Sequence, residues 1–285
     1  MSVNLRRICI EVNGVPIDTE HRTLVALRNE LFPGRDVMII NGHCVADSEL
    51  RDNDKVHIST RNRFPDKDEL EALMSARHTP KVHEKVRAST VGIAGLGGLG
   101  SNIAVMLARL GIGHLVIADF DTVEPTNLNR QNYYIEHIGL RKTDATKSLI
   151  EQINPFVTVT THAVRLNEKN IPKIFKNCSI VCEAFDSASE KTMLVNTISQ
   201  KLPDVDVIMG SGLAGHFDSN TIRTEKKTDR IYICGDGVND ARPGSGLMAP
   251  RVGICAGHMA NAVLRLITGE MGIRNEQNGN RTERA

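Results

Sequence analysis

The sequence predicts an α/β fold: a mostly parallel sheet with flanking helices and an antiparallel extension, preceded by a smaller N-terminal module. Three observations predict it. A glycine-rich turn, Gly95-Leu96-Gly97-Gly98-Leu99-Gly100, separates a strand-like apolar run from a helical one. After it, strand-like and helix-like segments alternate as far as Met209, the pattern of a parallel sheet with Rossmann-like βαβ units. Before it, short strand-like pieces are punctuated by two Asn-Gly dipeptides, the strongest short hairpin signal.

Taken in order, the apolar run Arg7–Val12 leads through Asn13-Gly14 into a second strand near Val15–Ile17. Leu24–Leu31 has helical spacing and is stopped by Pro33-Gly34. Val37–Ile40, the turn Asn41-Gly42, and Lys55–Ser59, entered through Asp52-Asn53-Asp54, complete a ββαββ order over residues 1–62. Small α+β modules of several kinds share that order. The phrase Met38-Ile39-Ile40-Asn41-Gly42 followed by Asp52–Ser59 resembles the β-grasp (ubiquitin-like) fold of sulfur carriers such as ThiS. A carrier needs a free Gly-Gly end, whereas here Ser59 runs on through Thr60-Arg61-Asn62-Arg63-Phe64, so the module is not itself expected to be modified.

Residues 63–88 are charged and helix-favouring over Asp68–Ala76, with a break at Thr79-Pro80, and are expected to form a solvated helical connector. The larger domain spans 89–272. Its expected elements are a strand Thr90–Ala94, a helix Ser101–Leu110, a strand Leu115–Asp119, a helix Lys142–Ile153, strands Val157–His162 and Ser179–Ala184, a helix Glu190–Lys201 and a strand Val205–Met209. Gly215–Cys234 is assigned to antiparallel strands beside the sheet, and Arg251–Ile267 to a closing helix. Residues 273–285 are polar and expected to be disordered.

Composition narrows the partners. With 35 basic and 34 acidic residues the net charge is +1, too small a field to steer nucleic acid or an anionic membrane, so neither partner is expected. Every apolar run is interrupted by charge or glycine well short of the roughly 20 residues that span a bilayer. The six scattered cysteines read as reduced thiols of a cytoplasmic protein.

The candidate site begins at the glycine turn. Gly95, Gly97, Gly98 and Gly100 let a phosphate approach backbone amides at a helix N-terminus. Asp119, about twenty residues on at a strand end, is placed to accept ribose hydroxyls. This spacing serves NAD and ATP equally. The next segment, Asp119-Phe120-Asp121 through Asn127-Leu128-Asn129-Arg130-Gln131, favours ATP. Arg130 there has little use in a dehydrogenase, but an enzyme that cuts ATP at the α-phosphate needs cations in position. Lys142 supplies a second cation, and Asp186, after an apolar strand, a carboxylate suited to magnesium. Each has a plainer reading: Arg130 as an ion pair with Glu124, Lys142 as an exposed helix residue, Asp186 as a helix N-cap.

Together, the glycine loop, Asp119-Phe120-Asp121, Asn127-Leu128-Asn129-Arg130-Gln131, Lys142, Asp186 and the late Met248-Ala249-Pro250-Arg251-Val252-Gly253 resemble the ThiF/MoeB/HesA group, relatives of ubiquitin-activating enzymes. The resemblance covers roughly Thr90–Gly269 and is strongest to ThiF variants with a fused ThiS-like domain. It implies a homodimeric adenylyltransferase that uses ATP and Mg2+ to activate the C-terminal glycine of a ThiS-like sulfur carrier in thiamine thiazole formation. Implied alternatives are another carrier, a tRNA, or a noncatalytic carrier-binding scaffold. The resemblance makes Asp119 the ribose ligand, with Asp121 beside the nucleotide, Asn127 and Arg130 the phosphate contacts, Lys142 the α-phosphate cation and Asp186 the metal ligand. This chain departs from the group in two respects. The Arg-Tyr-x-Arg-Gln segment that reaches a partner's ATP is reduced to Ala76-Arg77-His78, leaving Arg77 as the candidate in trans. The two Cys-x-x-Cys pairs of many members are missing, so no structural zinc is expected. Among the cysteines, Cys182 is expected in the core and Cys234, beside Gly235-Asp236-Gly237, is the candidate for reactivity.

Overall fold

Two units make up the computed structural model, residues 1–85 and 86–285, with residues 7–61 and 64–271 described. In the first, β1 (Ile8–Val12) and β2 (Val15–Thr19) pair antiparallel across Asn13-Gly14. Both turn residues have positive φ, 51° and 80°, the twist-matched hairpin turn that Asn-Gly favours. Thr23 caps α1 (Leu24–Leu31) by accepting the Ala26 N–H. β3 (Val37–Ile40) turns at Asn41-Gly42 into the two-residue β4 (His43–Cys44), which is too short to show in sequence. β5 (Lys55–Ser59) completes a sheet of order β2-β1-β5-β3-β4, with β1 and β5 parallel and the other pairs antiparallel. Leu24 and Leu27 of α1 pack with Ile10, Val12, Met38, Ile40, Val56 and Ile58 on one face.

The first helix of the expected solvated connector is instead packed on the sheet. α2 (Lys67–His78), capped by Asp66, packs across β3, β4 and β5. Strand alternation puts Ile39 and His57 on the face away from α1. Glu69 of α2 is buried, with its Oε1 4.0 Å from His57 Nε2. Both faces of this small sheet are thus covered by helix. After the break at Thr79, α3 (Pro80–Arg87) follows.

In the second unit, β6 (Thr90–Ala94) leads into α4 (Gly98–Leu110), which starts three residues earlier than its apolar spacing predicts because Gly98 and Gly100 form its first turn. Next come β7 (His114–Ala118), α5 (Lys142–Ile153), β8 (Thr158–His162), a single turn α6 (Ile171–Ile174), β9 (Ile180–Glu183), α7 (Ala188–Lys201) and β10 (Asp206–Gly210). β11 (Arg223–Lys226), β12 (Ile231–Gly235) and α8 (Ala249–Thr268) end the described chain. The seven strands lie in the order β11-β12-β10-β9-β6-β7-β8. β12 runs parallel to β10 and only the edge strand β11 is antiparallel, so the antiparallel extension is one strand, not the whole Gly215–Cys234 segment. α4 packs on α8, burying Ile103 and Leu107 on one helix and Val252, Met259 and Val263 on the other.

This order fixes where a ligand can sit. From β6 the chain winds outward through β7 and β8, then returns beside β6 at β9 and winds the other way. The carboxyl ends of β6 and β9 therefore flank a topological switch point, where open α/β sheets bind ligands. The expected disordered tail lies outside the described residues.

Candidate functional site

A cavity of ≈ 520 Å³ opens at that switch point, within the size range of small-molecule sites. Gly95, Gly97 and Gly98 line it after β6, Asp119, Phe120 and Asp121 after β7, Arg165 after β8, Asp186 after β9, and Gly210 to Ala214 after β10. Arg130, Lys142 and Lys191 also reach it, so cations surround a glycine loop at a helix N-terminus, where an anion is favoured.

The loop is held at its apex from two sides. The Leu96 N–H donates to Asp119 Oδ2 at 2.6 Å, and buried Tyr133 Oη donates to the Leu96 carbonyl at 2.9 Å. Asp119 Oδ1 also accepts the Asp121 N–H at 2.8 Å. Burial raises the Asp119 carboxyl above its ordinary value, while these two N–H donors and Lys142 pull it back. Asp119 thus both shapes the loop and faces the cavity. Gly95, with φ +91°, is in the left-handed region that glycine tolerates. Gly100 does not line the cavity. A Cβ there would lie 1.9 Å from the Gly95 carbonyl oxygen, so its task is to let helix and loop pack closely.

Lys142 is 6% exposed at the start of α5, its Nζ 2.8 Å from Asp121 Oδ2, which removes the exposed-residue reading. The Arg130 Nη1 donates to Thr126 O and Asn129 Oδ1, at 3.2 and 2.8 Å; these are the bonds the guanidinium makes in place of one to Glu124. Asp186 is exposed on the cavity wall, and the N-cap of α7 is Ser187 rather than Asp186. Asn127 has a different task from the expected phosphate contact. It is buried outside the cavity lining, its Oδ1 accepts the Glu124 N–H, and its carbonyl accepts from Arg130 and Gln131, so it holds the turn that carries Arg130. Arg77 is exposed at the end of α2 in the other unit.

Two cations on the cavity, Arg165 and Lys191, were not singled out from the sequence. Arg165 bonds Glu190 Oε1 at 2.7 Å and lies over the Phe120 ring, 5.2 Å from its centroid. Lys191 pairs with Glu183, which is fully buried. A charged residue closing the apolar run Ile180-Val181-Cys182-Glu183 was the available signal.

The expectation for Cys234 is overturned. It is fully buried, and burial pushes its thiol up to about 11. Cys178 and Cys255 are likewise buried and pushed up to about 12, and Cys182 is raised further. None of the four supplies a thiolate near neutral pH. Cys9 and Cys44 are exposed in the first unit. Brief iodoacetamide treatment of the native protein, read by peptide mass spectrometry, is expected to label Cys9 and Cys44 and spare the other four. Labelling of Cys234 before unfolding would contradict this.

The ThiF family profile matches residues 71–283, three quarters of the chain. The chain belongs to the ThiF family. A ThiS-like ubiquitin profile matches residues 8–61, so this ThiF-family chain carries a ThiS-like domain ahead of its α/β unit. It is 32% identical over 199 residues to the adenylyltransferase and sulfurtransferase UBA4 of Eremothecium gossypii, covering 67% of this chain and 44% of that protein. It is 26% identical over 200 residues to the adenylyltransferase and sulfurtransferase MOCS3 of Aedes aegypti, covering 66% and 44%. The chain thus spans less than half the length of these relatives. Among solved structures, the Escherichia coli tRNA N6-threonylcarbamoyladenosine dehydratase TcdA in complex with ATP superposes with a TM-score of 0.64 at 21% identity, covering 70% of this chain and 93% of that one. Escherichia coli MccB with ATP gives 0.53 at 20% identity, covering 73% of each. These two likenesses concern the fold. Among the described residues, no helix is long and apolar enough to cross a membrane.

Proposed function

We propose that this protein adenylates the C-terminal glycine carboxylate of a separate ThiS-type sulfur carrier with ATP, releasing pyrophosphate, in assembly of the thiamine thiazole ring in the cytoplasm. The observation that carries the reading is the cavity itself: a glycine loop at a helix N-terminus, Asp119 at the end of β7, and Arg130 and Lys142 at one sheet edge. The adenylyltransferase relatives and the ThiS-like domain support it.

In this reading the glycine loop amides receive the phosphates and Asp119 accepts the ribose hydroxyls, with Asp121 holding Lys142 in place. Arg130 and Lys142 meet charge on the α-phosphate as the carrier carboxylate attacks. That carboxylate is its own nucleophile, so alignment and charge neutralisation supply the acceleration and no general base is needed. Asp186 fits magnesium. It is an exposed oxygen donor on the cavity, and magnesium commonly takes one or two carboxylates plus substrate phosphates. The ion, when bound, neutralises phosphate charge. Among the described residues no group of three or more His, Cys, Asp or Glu side chains could hold a metal, so Asp186 would hold the ion together with substrate phosphates and water. A homodimer belongs to the same proposal, with Arg77 the candidate to act in trans; exposed Tyr134, Ile135, Ile138 and Leu140 offer an apolar contact surface.

ATP–pyrophosphate exchange with purified protein, magnesium and a ThiS carrier tests the reading. Exchange is expected with the intact carrier and is lost when its last glycine is removed. Exchange driven by tRNA in place of the carrier, or tight ATP binding with no exchange, would overturn the assignment.

A further inference from the structure

Lys191, on the cavity wall, forms an ion pair with Glu183, which is buried behind the lining. Lys191 Nζ lies 2.9 Å from Glu183 Oε2, 3.1 Å from Oε1 and 3.0 Å from the Gly210 carbonyl. An ammonium has three protons, and these contacts engage two of them, one shared between the two oxygens of the Glu183 carboxylate and one on the Gly210 carbonyl. Lys191 faces the cavity, its ammonium tethered to Glu183 and the Gly210 carbonyl.

Glu183 has a further bond that matters more. Its Oε1 accepts the Phe185 N–H at 2.6 Å, which fixes the turn between β9 and α7. Asp186 is the next residue along that turn. The same turn abuts the glycine loop: Glu183 is in register with Ala94, the Ala184 N–H donates to the Ala94 carbonyl, and a Cβ on Gly95 would be 3.0 Å from the Ala184 carbonyl oxygen. Lys191, from the first turns of α7, ties the arrangement across to the end of β10 through Gly210.

A buried ion pair is a poor device for stability alone, since apolar residues of similar volume often do as well. What it supplies is direction. We infer that Glu183 and Lys191 are positioning residues that hold the Asp186 carboxylate beside the glycine loop, where it would meet magnesium bound to a polyphosphate. The inference rests on the adenylation reading and adds to it the determinant of metal-dependent nucleotide binding. Glu183 and Lys191 touch no reacting atom; they act through the 184–187 turn.

The test uses the full chain as wild type, Glu183→Gln, Lys191→Met, Lys191→Arg and the double variant Glu183→Leu/Lys191→Met, which leaves no orphaned charge should the single changes impair folding. ATP affinity is measured by calorimetry with and without Mg2+, and exchange is resolved into kcat and KM. In the wild type Mg2+ is expected to tighten ATP binding. The Glu183→Gln, Lys191→Met and double variants are expected to bind metal-free ATP within about threefold of wild type but to lose most of the Mg2+ enhancement. Their kcat should fall by about tenfold or more, the order expected when a reacting group is displaced by about an ångström, and Lys191→Arg should restore most of both. A folded double variant with an undiminished Mg2+ enhancement would overturn the inference and leave the adenylation reading standing. A wild type without Mg2+-dependent ATP binding or exchange would overturn that reading instead, and the inference with it.

Discussion

Replacing Lys142 by methionine is expected to lower carrier-dependent ATP–pyrophosphate exchange by about 10²–10³ at saturating ATP, the usual cost of removing one preorganised charge-stabilising group. The side chain is 6% exposed and its ammonium is 2.8 Å from the Asp121 carboxylate, so methionine keeps the buried stem and removes only the charge. The effect is large for two reasons. A cation aimed at the site of phosphoryl charge is lost, and Asp121, on the same cavity wall, is left as an uncompensated anion. Adding Asp121→Asn should recover ATP affinity without recovering rate, since it removes the repulsion but does not return the cation. Steady-state exchange and calorimetric ATP binding on the two variants separate these contributions. An unchanged rate in Lys142→Met would remove Lys142 from the mechanism.

The second large effect is expected at Gly100. An alanine there would place its Cβ 1.9 Å from the Gly95 carbonyl oxygen and 2.9 Å from its carbon. Backbone has to move, and it is the backbone of the phosphate loop. Forced overpacking usually costs about 1–3 kcal/mol and occasionally more, so Gly100→Ala should lower the thermal midpoint by several degrees. It should also weaken ATP binding by more than about tenfold, because the displaced peptides are those that would meet phosphate. Gly253→Ala in α8 is the matched control. Nothing lies within 4 Å of its Cβ position, and exchanging an interior helix glycine for alanine gains roughly 1 kcal/mol. Thermal melts and nucleotide titrations on both variants check the contrast. Equal behaviour would mean that the close approach at Gly100 does not govern the loop.

Much of this was legible in the sequence because the signals are local. The bounds Leu24–Leu31, Val37–Ile40, Lys55–Ser59, Thr90–Ala94 and Lys142–Ile153 read from periodicity match the structure residue for residue, since each segment is bracketed by turn or capping chemistry. The glycine loop and Asp119 were visible for the same reason. β4 has only two residues and α6 only one turn, too short for any period to show. α2 read as solvated because its sequence is highly charged; only the assembled sheet shows that Glu69 faces inward. The strand β12 looked antiparallel because no helical pattern precedes it, and its parallel partner β10 is found only in three dimensions.

The same division runs through the site. Residues next to the glycine loop or at strand ends could be named from position. Glu183 and Lys191 could not, because their pairing depends on α7 folding back over the end of β9 to bring two side chains eight positions apart together. Tyr133 was hidden for a like reason, as its contact with Leu96 joins segments 37 residues apart. Asn127 and Cys234 show the converse. Motif position pointed to phosphate contact and reactivity, whereas burial gives one a turn to hold and the other an inert place in the core.

The most direct test of the account is the intact mass of a ThiS carrier after incubation with this protein, ATP and Mg2+, with no sulfur donor present to consume the product. One added AMP is expected on the carrier, mapped to its terminal glycine and formed far more slowly by Lys142→Met. An unmodified carrier, with ATP bound to the protein and the carrier's Gly-Gly end intact, would contradict it.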